Sequence, residues 1–332
     1  MMNMLYEFID FLIENSLVVT LVFMGLFLCV NRRNRLSFMR TEHCDTNYCN
    51  DENCVRCNKY HDTAIKALNK ISSINNQIIS FKIQKGLDFV YRPTETGFKQ
   101  KPNVFYYDNL QARNIWDKEF KRRLADCLLI EKSFKTIKTE MEFLLENPDL
   151  GTWKKNRTPN GSWDVFHLIN QGSTVPENQT LCPQTLTVIN SLTSVMKGNV
   201  FGNVMISVLK PGTVITPHYG PTNIRLRCHL GLQVTSDCFL TVDGQKLTWE
   251  NGKCLVFDDS FLHSVKHTDQ TSDITYKNKW SEPNDRVVLT VDLWHPDLSA
   301  EERELSHKYV LSSLNIETAY MITLIIIIMQ PI

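Results

Sequence analysis

Residues 204–232 read VMISVLKPGTVITPHYGPTNIRLRCHLGL, and the fold follows from how their side chains alternate. Ile224, Leu226, Cys228, Leu230 and Leu232 fall on one face of an extended chain, and Arg225, Arg227, His229 and Gly231 on the other. A strand buried in apolar core on both sides would not carry two arginines and a histidine on one face, so the polar face looks into water or a polar cavity. The same period of two returns at residues 239–242, 253–257, 261–267 and 286–294, with Asp243-Gly244 and Asn251-Gly252 as turns. Short strands at this spacing, with no βαβ rhythm, predict an all-β sandwich or barrel.

Upstream, residues 161–171 (GSWDVFHLINQ) set Trp163, Val165 and His167 against Asp164 and Phe166 in strand fashion, after a loop-like approach from residue 151. Residues 114–146 carry helical patterning and are expected as two helices meeting near residues 127–132, packed outside the sheet. Residues 62–84 place Ile65, Leu68, Ile71, Ile74, Ile78 and Ile79 at helical spacing, a packing stripe with no chemistry in it. Pro93, Gly97 and Pro102 then break regular structure and connect this stalk to the body. The expected class is mainly β with flanking helices.

The chain has 332 residues, 42% hydrophobic and 22% charged, and its 36 Lys plus Arg balance 36 Asp plus Glu. That balance lacks the basic footprint of a nucleic-acid binder, and nucleic acid is not an expected partner. Residues 17–30 (LVVTLVFMGLFLCV) are uncharged and run into Arg32, Arg33 and Arg35. With residues 8–13 they approach the about 20 apolar residues of a membrane span, and no small-x-small cleavage site follows, so they read as a single N-terminal membrane anchor. Basic residues after the span put the body in the cytosol, whereas the sequons at Asn156, Asn160 and Asn178 matter only in a secretory lumen. The residues alone leave the side of the membrane open. They also leave open whether Cys44, Cys49, Cys54 and Cys57 bind zinc or form disulfides. The apolar end, residues 319–332, is short for a span and reads as a peripheral membrane contact or an aberrant terminus.

Two histidines stand where chemistry is expected. His218 follows Thr216-Pro217 at a strand end, and His263 follows the acidic turn Asp258-Asp259-Ser260. Two imidazoles from separate strands can bind iron, zinc or copper. The commonest iron arrangement adds a carboxylate two residues after the first histidine, and here that residue is Gly220. Taken singly, each histidine is equally readable as a hydrogen-bonded structural residue.

The stretches SVLKPGTVITPHYGPTNIRLRCHLGL, LTWENGKCLVFDDSFLHSV and RVVLTVDLWHPDLSAEER, with GSWDVFHLINQG, together cover residues 161–303. They resemble the aspartyl/asparaginyl β-hydroxylase family of iron(II) and 2-oxoglutarate dependent dioxygenases, most closely its short membrane-anchored members. The resemblance implies a double-stranded β-helix (jelly-roll, cupin-like) domain over residues 111–310, preceded by an anchor and basic flank (1–40) and a Cys-rich helical stalk (41–110), and followed by the apolar tail (311–332). It implies a peptidyl aspartyl or asparaginyl hydroxylase using Fe(2+), 2-oxoglutarate and O2 on a protein or peptide substrate. His218 and His263 would be the catalytic iron ligands, with no third protein carboxylate, which makes Gly220 expected. Ser207 and Arg286 would hold the far carboxylate of 2-oxoglutarate, Arg227 and His229 would lie along it, and Trp163 would close over it. His267 and His295 would be structural, and Arg225 receives no role. Because the full hydroxylase works in a secretory lumen, an endomembrane protein with a lumenal catalytic domain is expected. One departure is the long stretch 264–285 before Arg286, expected as a surface loop beside the site mouth. The anchor, this loop and the cysteine cluster also motivate an alternative, a non-enzymatic membrane-tethered binding module that keeps the barrel.

Overall fold

The computed structural model describes residues 99–102, 105–116, 125–156, 158–268, 283–304 and 306. The expected membrane anchor, the Cys44 to Cys57 cluster, the helical stripe at 62–84 and the apolar tail lie outside these residues. Among the described residues no helix is long and apolar enough to cross a membrane.

The described chain is mainly β, in two antiparallel sheets. The larger contains β1 (Ile115–Trp116), β2 (Trp153–Asn156), β3 (Trp163–Asn170), β4 (Ser173–Thr174), β5 (Val204–Leu209), β7 (Arg225–Gln233), β10 (Cys254–Phe257) and β12 (Arg286–Trp294). Its order is β1-β10-β7-β12-β5-β3-β2, with β4 paired to β3. The smaller sheet runs β6-β11-β8-β9, from β6 (Val214–His218), β8 (Cys238–Val242), β9 (Gln245–Leu247) and β11 (His263–His267). Asp243 and Gly244, at φ 48° and 79°, join β8 to β9 in the two-residue turn that the Asp-Gly pair favours, because both positions need a left-handed backbone.

The alternation seen in β7 sorts the whole larger sheet. Leu226, Cys228, Leu230 and Leu232 join Ile206, Val208, Val287, Leu289, Val291 and Leu293 in one apolar core. That core is covered by α1 (Ala125–Lys132), α2 (Phe134–Glu146) and α4 (Pro183–Ser191), the short α3 (Pro176–Gln179) lying between the last two in sequence. In α2 the buried residues Ile137, Met141, Leu144 and Leu145 recur at helical spacing and form the face laid on the sheet. The N-terminus of α4 lacks a side-chain cap of its own, and buried Glu140 of α2 supplies one, accepting the Gln184 and Thr185 amides at 2.8 and 2.7 Å. A second core, including Leu209, Cys238, Leu240, Val242, Phe257, Phe261, Val265 and Val288, joins residues of both sheets.

Two local expectations are revised. Residues 115–116 are strand, paired to β10, while the two expected helices are present and meet at Ser133, next to residues 127–132. The approach to β3 is itself strand β2, whose WKKN sequence is too short and polar to announce one; pairing with β3 makes it so. The ends of the long loop are tied down: His267 Nε2 lies 2.8 Å from the Asn284 carbonyl and Lys210 Nζ 2.7 Å from Asp285. Residues 269–282 within it lie outside the described ones. Cys127, Cys228 and Cys254 bring their sulfurs within 4.8 Å of one another beneath α1. Hydrogen bonding to Cys127, together with burial, drives the Cys228 and Cys254 thiols well up, so both are neutral at physiological pH and pack as small apolar groups.

Candidate metal and dicarboxylate site

His218 ends β6 and His263 opens β11, and the two are cross-strand partners with ring centroids 4.1 Å apart. His218 Nδ1 lies 2.8 Å from the Thr216 carbonyl, and His263 Nδ1 lies 3.0 Å from that of Phe261. A carbonyl oxygen only accepts, so each Nδ1 carries a proton, and in the neutral ring that leaves the lone pair on Nε2, the tautomer a metal requires. Burial, helped by neighbouring His218, pushes His263 down to about 3, so its ring is neutral at physiological pH.

The polar face of β7 is a buried ion-pair network. Arg227 donates through Nε and Nη2 to Asp292 at 2.9 and 3.1 Å and lies 3.6 Å from Asp259. Arg225, to which the sequence assigned no role, donates to Asp259 and to the Phe201 carbonyl and lies 3.4 Å from Asp292. Two arginines and two aspartates thus cancel inside the protein. Burial alone would raise Asp259, but Arg225, Arg227 and His263 outweigh it and hold the carboxylate below its ordinary range. Burial likewise lowers Arg227, and Asp292 with Asp259 reverses this and raises it.

Asp259 also explains Gly220. A Cβ at position 220 would sit 2.5 Å from the Asp259 carboxyl carbon and 2.6 Å from both its oxygens, so a carboxylate side chain has no room there. The Gly220 amide donates to the Asp259 carbonyl at 2.6 Å, binding the turn after β6 to the turn before β11.

Arg286 is different. It is 2% exposed, and among the described residues it pairs with no carboxylate and its Nε has no hydrogen-bond partner. Its Nη1 lies 3.4 Å from the Ser207 hydroxyl, which accepts the Trp163 indole N–H at 3.0 Å. Burial lowers its pKa, opposed by Cys238, and its guanidinium lies over the Trp249 ring at 5.1 Å. The Trp249 indole donates to His229 Nδ1 at 3.2 Å. Burial, then Arg227 and Arg286, drives His229 well down, so it too is neutral. His263 also acts on His229, which therefore stands within electrostatic reach of both Arg286 and the histidine pair.

The residues fit the groups that the resemblance implies. A buried guanidinium with an orphaned Nε and no counter-charge among the described residues suits an incoming carboxylate, and paired imidazole nitrogens suit a first-row metal. Trp163 and Arg286 meet at the Ser207 hydroxyl and Trp249 links Arg286 to His229, while His218 and His263 pair in the smaller sheet. Arg227 is committed to the carboxylates of the fold. Sequence reasoning missed Trp249, Asp259 and Asp292; the DDSF turn was visible, but nothing in it told which arginine Asp259 would meet. His267 and His295 bond backbone carbonyls, those of Asn284 and Gln111, away from the pair.

Such a site defines a two-sheet β protein with a polar interior. The aspartyl/asparaginyl beta-hydroxylase model matches residues 131–296, a span that includes every candidate residue. The chain belongs to that family. It is 40% identical over 269 residues to aspartate beta-hydroxylase domain-containing protein 2 of Homo sapiens, covering 77% of this chain and 69% of that one. It is 35% identical over 210 residues to domain-containing protein 1 of Homo sapiens (62% and 50%). It is also 35% identical over 154 residues to the aspartyl/asparaginyl beta-hydroxylase of Homo sapiens (45% and 18%). A solved Pseudomonas putida prolyl-4-hydroxylase shares 13% identity, 48% of this chain and 86% of its own, at a TM-score of 0.29.

Proposed function

We propose that this chain is an iron(II)- and 2-oxoglutarate-dependent hydroxylase of aspartyl or asparaginyl side chains in a protein or peptide, built on a double-stranded β-helix. The observation that carries the reading is Arg286, a buried cation left without a carboxylate among the described residues, together with a paired His218 and His263 whose Nδ1 atoms bond backbone carbonyls. His218 and His263 would hold the iron. Arg286 and Ser207 would hold the distal carboxylate of 2-oxoglutarate, with His229 beside it and Trp163 anchored on the Ser207 hydroxyl. Bound there with O2, the two groups supply an oxidation that releases succinate and CO2 and places one oxygen atom in a substrate C–H bond.

The chain's own residues do the rest. Asp259, kept ionised by Arg225 and Arg227, stands within electrostatic reach of His263, and its charge is balanced by those two arginines. Phe257, Phe261 and Trp249, all buried, exclude water around the rings. The same reading includes a single membrane anchor at residues 17–30 and a lumenal catalytic domain. Purified protein given iron, ascorbate and 2-oxoglutarate is expected to form succinate, and His263→Ala to abolish it. A folded chain that binds no 2-oxoglutarate would refute the proposal.

A further inference from the structure

Trp249 occupies the extended segment between β9 and β10, and is only 5% exposed. Its indole N–H donates to His229 Nδ1 at 3.2 Å, and the two rings are nearly parallel, at 22°, with centroids 6.1 Å apart. An indole nitrogen can only donate, so His229 Nδ1 must be the lone-pair nitrogen and the neutral ring carries its proton on Nε2. This reverses His218 and His263, whose Nδ1 atoms carry the protons. The interior thus holds two imidazoles set to offer a lone pair from Nε2 and one set to offer a proton from it.

That offered proton meets no acceptor among the described residues. His229 is 8% exposed, and among the described residues its Nε2 has no hydrogen-bond partner. Arg286 Nε also has no partner among them, and the Arg286 guanidinium lies over the Trp249 ring at 5.1 Å. Two largely buried donors with no acceptor among the described residues, both beside one indole, call for an anion with several acceptor oxygens.

We propose that Trp249 is a positioning residue: its N–H locks His229 with the proton on Nε2, and its ring carries Arg286, so that both donors are presented together to a carboxylate ligand. The inference rests on reading this interior as a 2-oxoglutarate pocket. Trp249→Phe is the informative change, because it keeps an aromatic face under Arg286 and removes only the donor to His229.

The test is calorimetry of 2-oxoglutarate binding to the full chain with Mn(II) in place of iron, for wild type, Trp249→Phe, His229→Ala and the double variant. Losing one aligned neutral donor is expected to weaken binding roughly three- to tenfold. If Trp249 acts through His229, the double variant binds no more weakly than His229→Ala alone. Unchanged affinity in Trp249→Phe, or fully additive losses, overturns the proposal. A ligand-free readout stands beside it: in 15N-labelled wild type, a scalar coupling across the hydrogen bond should join Trp249 Nε1 and His229 Nδ1. Its absence, or a His229 protonated on Nδ1, overturns the lock even if Trp249→Phe fails to fold. Should the coupling be present while wild type binds no 2-oxoglutarate, the pocket reading fails, and with it the role given to the lock.

Discussion

Arg286 and Arg227 have the same side chain and nearly the same burial, yet they stand in opposite electrostatic states. Arg227 is neutralised by Asp292 and Asp259, whereas Arg286 meets only hydroxyl, thiol and aromatic neighbours among the described residues. A buried cation in that state gains most from an incoming carboxylate, and a charge-assisted contact contributes about 1.5 to 3 kcal/mol. Arg286→Ala is therefore expected to weaken 2-oxoglutarate binding at least about tenfold by calorimetry. An unchanged affinity would place the dicarboxylate elsewhere. Of the site residues, His229 and both β7 arginines could be picked out from the period-two pattern, and His218 from its place at a strand end. Trp249, Asp259 and Asp292 could not, because their roles consist of partners met across strands.

At the scale of elements, the site depends on how the turn after β6 meets the turn before β11. Their backbones are bonded at Gly220 and Asp259, and the space that a side chain at 220 would need is filled by the Asp259 carboxylate. Gly220→Ala must displace that carboxylate from Arg225 and Arg227. Overpacking of this kind costs about 1 to 3 kcal/mol, expected as a lower denaturation midpoint in urea. Wild-type stability in this variant would show that the turn has slack. Strand β7 was legible as an element because its two faces have different chemistry. Strands β1 and β2 were not, since two and four residues are too few to show a period and only their pairing with β10 and β3 makes them strands.

For the whole molecule, one buried carboxyl links stability to pH. Burial raises Asp258 to about 7, against hydrogen bonds from Ser260 and Gln100. The folded chain then holds a proton that the unfolded chain releases near about pH 4. Between those values the folded state binds more protons, so this group's contribution is fully present below the lower value and is lost as pH rises through the upper one. Asp258→Asn should abolish that component: the stability of wild type relative to the variant is expected to fall between about pH 4 and about 7, and urea titrations across the window measure it. A constant difference would mean that Asp258 is already ionised at the acid end. The side of the membrane can be tested through the sequons. Asn178 is 1% exposed and its amide bonds Thr152 and the His167 carbonyl, so a glycan there is incompatible with the fold, whereas Asn160 is exposed. A lumenal domain is expected to show an endoglycosidase-sensitive mobility shift that disappears in Asn160→Gln and persists in Asn178→Gln if that variant folds. No shift in cells would count against the lumenal placement.

Alternation in residues 224–232 determined, without any structure, that one strand face is apolar and the other polar, and the resemblance carried by the motifs in residues 161–303 pointed to a histidine pair and an arginine. Such patterns are local, because a side chain's face is set by its own backbone. Only the tertiary structure decided that Arg227 is neutralised while Arg286 meets no carboxylate among the described residues, that Gly220 makes room for Asp259, and that Trp249 sets the proton of His229. Each of these is an encounter between residues far apart in the chain, and charge, space and tautomer depend on who the neighbour is.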